Sequence, residues 1–146
     1  MASLVVELAE YERAPAGAVR TTPEAIRRAL EAVEGPRLHA LIAEDDAGAP
    51  VGCALYYRAF SSWRATWGFY LEDLFVRPAA RGQGHGVALL RAVAAEAVNA
   101  GADRMDWVVL DWNAPALDFY RRVGATEMSE WRLMRLQGEA LREMGS

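Results

Sequence analysis

Residues Arg81-Gly82-Gln83-Gly84-His85-Gly86 constrain this chain more than any other segment. They lie between an apolar, strand-like run that ends at Val76-Arg77-Pro78 and the longest helical pattern in the sequence, Val87 to Asn99. Pro78 has no amide to give a sheet ladder and stops the run. Glycines at alternate positions remove the side chains that would keep a ligand off the backbone. The first amides of the following helix then point outward unpaired, and the helix dipole adds partial positive charge. Such a terminus binds phosphate or pyrophosphate. Taken alone, the glycines are explained equally well by an ordinary tight turn. Their details exclude two nucleotide folds. No Gly-Lys-Ser/Thr follows, as a P-loop needs, and Val87 stands where a dinucleotide fingerprint needs its third glycine.

The rest of the chain reads as one domain, residues 1–146. At 53% hydrophobic it can fill a single core. Leu4, Leu8 and Tyr11 have helical spacing. Thr22-Pro23 starts a second helix, with Ile26, Leu30 and Val33 on one stripe, that runs to Gly35-Pro36. Strands are expected at Leu38 to Ala43, Val51 to Ala59, Thr66 to Val76, Met105 to Leu110 and Trp131 to Leu136. Asn113-Ala114-Pro115 opens a helix that closes at Gly124, and a short polar helix ends the chain. Helices thus alternate with strands around a mixed sheet, an α/β (α+β) layered domain.

Composition removes several chemistries. Cys53 is the only thiol, so no internal disulfide or thiolate zinc cluster forms, and its apolar neighbours suit a core residue. His39 and His85 lack metal-type spacing, and no metal is expected. The net charge of −4, from 20 acidic and 16 basic residues, argues against a nucleic-acid surface and suits a cationic substrate or plain solubility. No run approaches the ~20 apolar residues of a membrane span. The first residues lack a secretory pattern, so a cytoplasmic location is expected.

The Arg-x-x-Gly-x-Gly pattern after strand-Val-x-Pro resembles the acetyl-CoA pyrophosphate loop of the GCN5-related N-acetyltransferase superfamily. Tyr70-Leu-Glu-Asp-Leu-Phe-Val76, Asp111-Trp-Asn-Ala-Pro-Ala116 and Asp118-Phe-Tyr-Arg-Arg-Val-Gly-Ala125 extend the resemblance to its diamine (spermidine/spermine) and thialysine acetyltransferase branch. Glu7 to Glu12, Gly52 to Tyr57 and Trp131-Arg-Leu carry it over nearly the whole chain. It implies a mostly antiparallel mixed sheet flanked by helices, a homodimer, and acetyl-CoA as cosubstrate. Three departures stand out. The usual first strand is missing, the Trp63–Glu72 spacing is one residue longer, and His85 replaces an aliphatic residue.

Acetyl transfer to an amine needs a held thioester, a neutral amine, a stabilised oxyanion and a protonated leaving thiolate. An alkylammonium has a pKa near ~10.4, so few molecules are neutral at pH 7. Carboxylates near the site can take the proton and attract the cation. Glu72 is the leading candidate, because with Asp73 it interrupts an apolar strand; a salt bridge or an exposed edge is the alternative. Strict strand alternation puts Glu72 and Asp73 on opposite faces. Glu12 matches a family acid and is a second cation anchor, or else a solvated helix-end charge. Trp63, Trp67, Tyr56 and Tyr57 form an aromatic stretch that is mostly core, with Trp63 a substrate contact by the resemblance.

The resemblance further implies that Leu74, Phe75 and Val76 offer backbone groups to the pantetheine arm, with an amide near Leu74 or Phe75 as oxyanion donor. Arg81, Gly82, Gln83, Gly84, His85 and Gly86 hold the pyrophosphate. Tyr120 is the general acid, since a phenol at ~10 stays protonated at pH 7; by itself it reads as a core aromatic beside Phe119. Asn113 caps its helix and reaches the coenzyme. The acids and aromatics favour a small polyamine, diamine or lysine analogue as acceptor. A catalytically inactive acyl-CoA-binding module is the second reading, supported by the missing strand.

Overall fold

Leu4 and Leu8 stand one helical turn apart, which gives the first element an apolar stripe. In a computed structural model that describes residues 1–146, Ala2–Tyr11 is helix α1 and both leucines are buried. They pack with Cys53, Leu55 and Phe75, and Ile26 and Ala40 close the margin. Cys53 is therefore a core residue, and burial pushes its thiol up to about 12.

Thr22 caps helix α2 (Pro23–Leu30), its hydroxyl accepting from the Ala25 amide at 3.1 Å. The expected run to Gly35 does not form. The Leu38 amide donates to the Ala29 carbonyl and Arg37 Nε to the Leu30 carbonyl, each at 3.1 Å. These bonds satisfy carbonyls that another helical turn would have used. Val33, expected on the apolar stripe, is 97% exposed.

Strands β1 (His39–Glu44), β2 (Pro50–Ser61) and β3 (Thr66–Val76) are antiparallel neighbours, and β4 (Met105–Asp106) runs parallel to β3. Asp45 sets the β1–β2 turn, its carboxylate accepting from the amides of Ala47 and Ala49 at 3.0 and 2.9 Å. Helix α3 (His85–Asn99) buries Leu89, Leu90, Val93 and Ala97. It covers the face opposite α1: Tyr56, on that side of β2, donates to Glu96 Oε2 at 2.5 Å. A Cβ on Gly52 would meet the Phe75 carbonyl oxygen at 2.7 Å, so only glycine admits this close approach. The result is the expected mixed, mostly antiparallel sheet with helices on both faces.

Two expected strands are corrected. Met105 to Leu110 pairs only at Met105 and Asp106, and Trp131 to Leu136 has no regular structure. Apolar runs suit a pleated strand, but a strand also needs a neighbour to take its amides and carbonyls. The chain forms two compact units. Met1–Val108 holds the sheet, while Val109–Ser146 holds helices α4 (Ala114–Arg122) and α5 (Gly138–Met144).

Candidate active site

A bulge in β3 shapes the first unit. Leu55 pairs with Asp73 but Tyr56 pairs with Leu71, so Glu72 is an extra residue without a partner. The extra residue overturns the expectation that Glu72 and Asp73 face opposite ways. Strand β2 is regular here, so Leu55 and Tyr57 share the α1 face. Asp73 lies opposite Leu55, and Tyr57 lies opposite Tyr70 with their rings stacked at 5.2 Å and 30°. The Glu72 charge acts on Tyr57, Tyr70 and Asp73 together. Both carboxylates therefore work on one side of the sheet.

Glu12, at the C-terminus of α1, joins them. Burial pushes the Asp73 carboxyl up to about 6, and the Glu72 and Glu12 charges push the same way. Glu12 is exposed as a residue, yet desolvation of its carboxyl raises its pKa as well. Three acids on one side of β3 make a pocket of negative potential suited to an ammonium group.

Asp73 makes stability depend on pH with a defined sign. Below pH ~4 the carboxyl is protonated in both states. Between there and about 6 the unfolded chain ionises it while the folded chain keeps the proton, so stability falls as pH rises. Asp73→Asn is expected to lack this loss. Urea titrations should show the variant gaining on wild type by on the order of 2 kcal/mol between pH 4 and 7.5. A constant difference across that range would contradict the burial of Asp73.

On its second edge β3 is paired only at Phe69 and Tyr70, so from Leu71 onward that edge has no strand beside it. Arg77 donates to the Val51 carbonyl at 2.8 Å, which by alternation turns the Phe75 backbone toward β2 and those of Leu74 and Val76 outward. Phe75 thus serves the sheet and the α1 core, at 3% exposure. Leu74 and Val76 remain as the outward pair. Arg77 also fixes this corner, reaching Glu7 of α1 at 2.7 and 2.9 Å and the Pro50 carbonyl at 2.7 Å. Its guanidinium holds the Glu7 carboxyl below its usual range.

Beyond the corner, Gly82 and Gly84 both have positive φ, +78° and +89°, and nothing lies within 4 Å of where a Cβ would stand. Gly84 caps α3 without a side-chain bond, and the first intrahelical bond runs from the Ala88 amide to Gly84 at 2.9 Å. The amides of His85, Gly86 and Val87 precede it, and the first turn carries no acidic residue. A helix start of this kind, with unpaired amides and no acidic side chain, suits an anion. Arg81 turns back, its Nε donating to the Val76 carbonyl at 3.0 Å and its guanidinium lying 4.5 Å over the Tyr11 ring. Gln83 Nε2 lies 3.4 Å from the Ala79 carbonyl.

In the second unit the Asn113 side chain is buried and accepts from the Ala116 amide at 3.4 Å, the N-cap expected of it. Tyr120 is half-buried on α4 with its ring edge-on to Phe119 at 5.1 Å. Trp63 is 86% exposed in the β2–β3 turn. Along the strand it lies roughly 20 Å from Glu72. The structure does not bring it to the acids. The sequence reading missed Tyr57 and Tyr70 as neighbours of Glu72, although two adjacent polar residues in an apolar strand are a bulge signal. No helix is long and apolar enough to cross a membrane. No group of His, Cys, Asp and Glu side chains is arranged to hold a metal ion.

The sequence matches the model of the acetyltransferase (GNAT) family over residues 5–125, through the boundary between the two units. It is 40% identical to the thialysine N-epsilon-acetyltransferase of Bos taurus, over 97% of this chain and 87% of that protein. Its identity to a spermidine/spermine N(1)-acetyltransferase-like protein of Homo sapiens is 32%, over 76% of this chain and 17% of that protein. An integron cassette protein from the mobile metagenome of V. cholerae superposes with a TM-score of 0.74 at 26% identity, covering 97% of this chain and 89% of the other. An open β3 edge leading to a glycine-capped helix, three acids beside it and these likenesses agree: the chain is an acetyltransferase of the GNAT family, similar to its thialysine and diamine branch.

Proposed function

We propose that this chain transfers acetyl from acetyl-CoA to the primary amine of a small cationic acceptor, a lysine or thialysine analogue, diamine or polyamine, by direct attack. The bulge at Glu72 carries the reading, because it gathers Glu72 and Asp73 on the side where Glu12 lies. The glycine-capped start of α3 suits a pyrophosphate, and the outward Leu74 and Val76 suit an amide-bearing pantetheine arm. Residues 1–146 act as one enzyme domain.

The four chemical needs are then met in turn. Glu12 and Asp73 draw the ammonium in. Glu72, directly or through a water, accepts its proton, and the amine nitrogen bonds to the acetyl carbon. The outward Leu74 amide donates to the developing oxyanion. As the carbon–sulfur bond breaks, Tyr120 gives its phenolic proton to the coenzyme thiolate.

Pairing with a second copy belongs to the same reading. Trp131, Leu133 and Met134 are 62, 68 and 85% exposed, an apolar run that a partner surface would cover.

Purified protein is expected to release free thiol from acetyl-CoA with thialysine, lysine or short diamines. No release with any member of a panel that also includes polyamines and aminoglycosides would end this reading.

A further inference from the structure

Tyr57 and Tyr70 have no part in the mechanism above, yet they are the aromatic neighbours of its proton acceptor. They face each other across β2 and β3, just before the bulge. The stacked rings, 5.2 Å apart, stand beside the one residue of β3 that has no ladder partner. A bulged residue has more backbone freedom than a paired one, and Glu72 is also exposed. Without a tether its carboxylate would sample several rotamers. Ion pairs in the chain tie down Glu7, Asp103, Asp106, Asp118 and Glu127, but not Glu72. The Tyr57 phenol stands on the same side of the sheet, its ring stacked on Tyr70 just before the bulge, and it feels the Glu72 charge.

We infer that Tyr57 is the positioning residue for Glu72: its phenol donates to the carboxylate and holds it toward the acceptor nitrogen, while the Tyr70 ring keeps Tyr57 upright. Burial, the Glu72 charge and Tyr70 all push the Tyr57 phenol up, so it remains a donor at every pH where the amine is a usable acceptor. Tyr70 also senses the Glu72 charge, and what it gives Tyr57 is the stacked face of its ring. The inference rests on the reading of Glu72 as proton acceptor.

Steady-state kinetics of the full chain with acetyl-CoA and thialysine tests it. Tyr57→Phe keeps the stacked ring and is expected to lower kcat about tenfold with the KM for acetyl-CoA unchanged. In a Glu72→Gln background the same change should do nothing further, because the carboxylate it positions is gone. The tenfold loss should also shrink with a weakly basic fluoroalkylamine, which is already neutral at the assay pH. Tyr70→Phe should match wild type. Should the Phe variant fold poorly, Tyr57→Gln and Tyr57→Leu replace it, with Gln, which retains a donor, several-fold more active than Leu.

A Tyr57→Phe enzyme equal to wild type, an equal loss in both backgrounds, or Gln and Leu variants of equal activity overturns the inference. If Glu72→Gln itself leaves turnover intact, the assignment of Glu72 fails first. The two failures are thereby told apart.

Discussion

Tyr120→Phe is expected to lower kcat by about 10²- to 10³-fold while leaving acetyl-CoA binding within a factor of two. The phenol has a single chemical task in the proposed reaction, protonating a thiolate as it leaves. Phenylalanine keeps the ring and its edge-on contact with Phe119, so α4 should fold as before. Other features also set the helix: Asn113 caps it, Pro115 occupies its first turn, and Arg121 and Arg122 lie near its C-terminal carbonyls. Loss of turnover with intact binding by calorimetry would assign the proton donor. A variant with more than a third of wild-type kcat would show that the proton comes from elsewhere.

Gly84→Ala is expected to weaken acetyl-CoA binding about a hundredfold, and Gly101→Ala not at all. Both glycines have left-handed backbones, at φ +89° and +75°, and neither has an atom near its absent Cβ. A side chain at either position costs roughly 1–2 kcal/mol of stability. Gly101 only ends α3, whereas Gly84 begins it and aims its first amides. Relaxing Gly84 would turn two of those amides off a charged phosphate, at about 1.5 kcal/mol or more each. Matched thermal shifts with a binding loss in Gly84→Ala alone would separate the cradle from the turn. Equal binding in both variants would reduce the glycine loop to a structural feature.

Much of this architecture is legible from local signals. Thr22-Pro23, Asn113-Ala-Pro115, the Leu4–Leu8 spacing and the glycine loop each act within one or two helical turns, and all four form as read. What escaped depends on partners distant in sequence. Trp131 to Leu136 is largely apolar, as a strand often is, but a strand exists only where a neighbour's backbone answers it. Glu72 and Asp73 were assigned opposite faces because alternation holds only until a residue is inserted, and the insertion is defined by β2. Tyr56 and Tyr57 looked equivalent in the aromatic stretch. One donates to Glu96 beneath α3 and the other stands beside Glu72, a division made by the sheet's two faces. Trp63, a substrate contact by analogy, stands exposed at the hairpin tip.

The unpaired Glu72 works as a phase change in a two-beat rhythm. Every backbone and side-chain direction after it is the reverse of what an uninterrupted ribbon would give. The same residues paired as an uninterrupted ladder would turn Phe75 out and Leu74 in. Such a protein could keep its fold and every acid in its sequence, yet meet its thioester with the wrong edge.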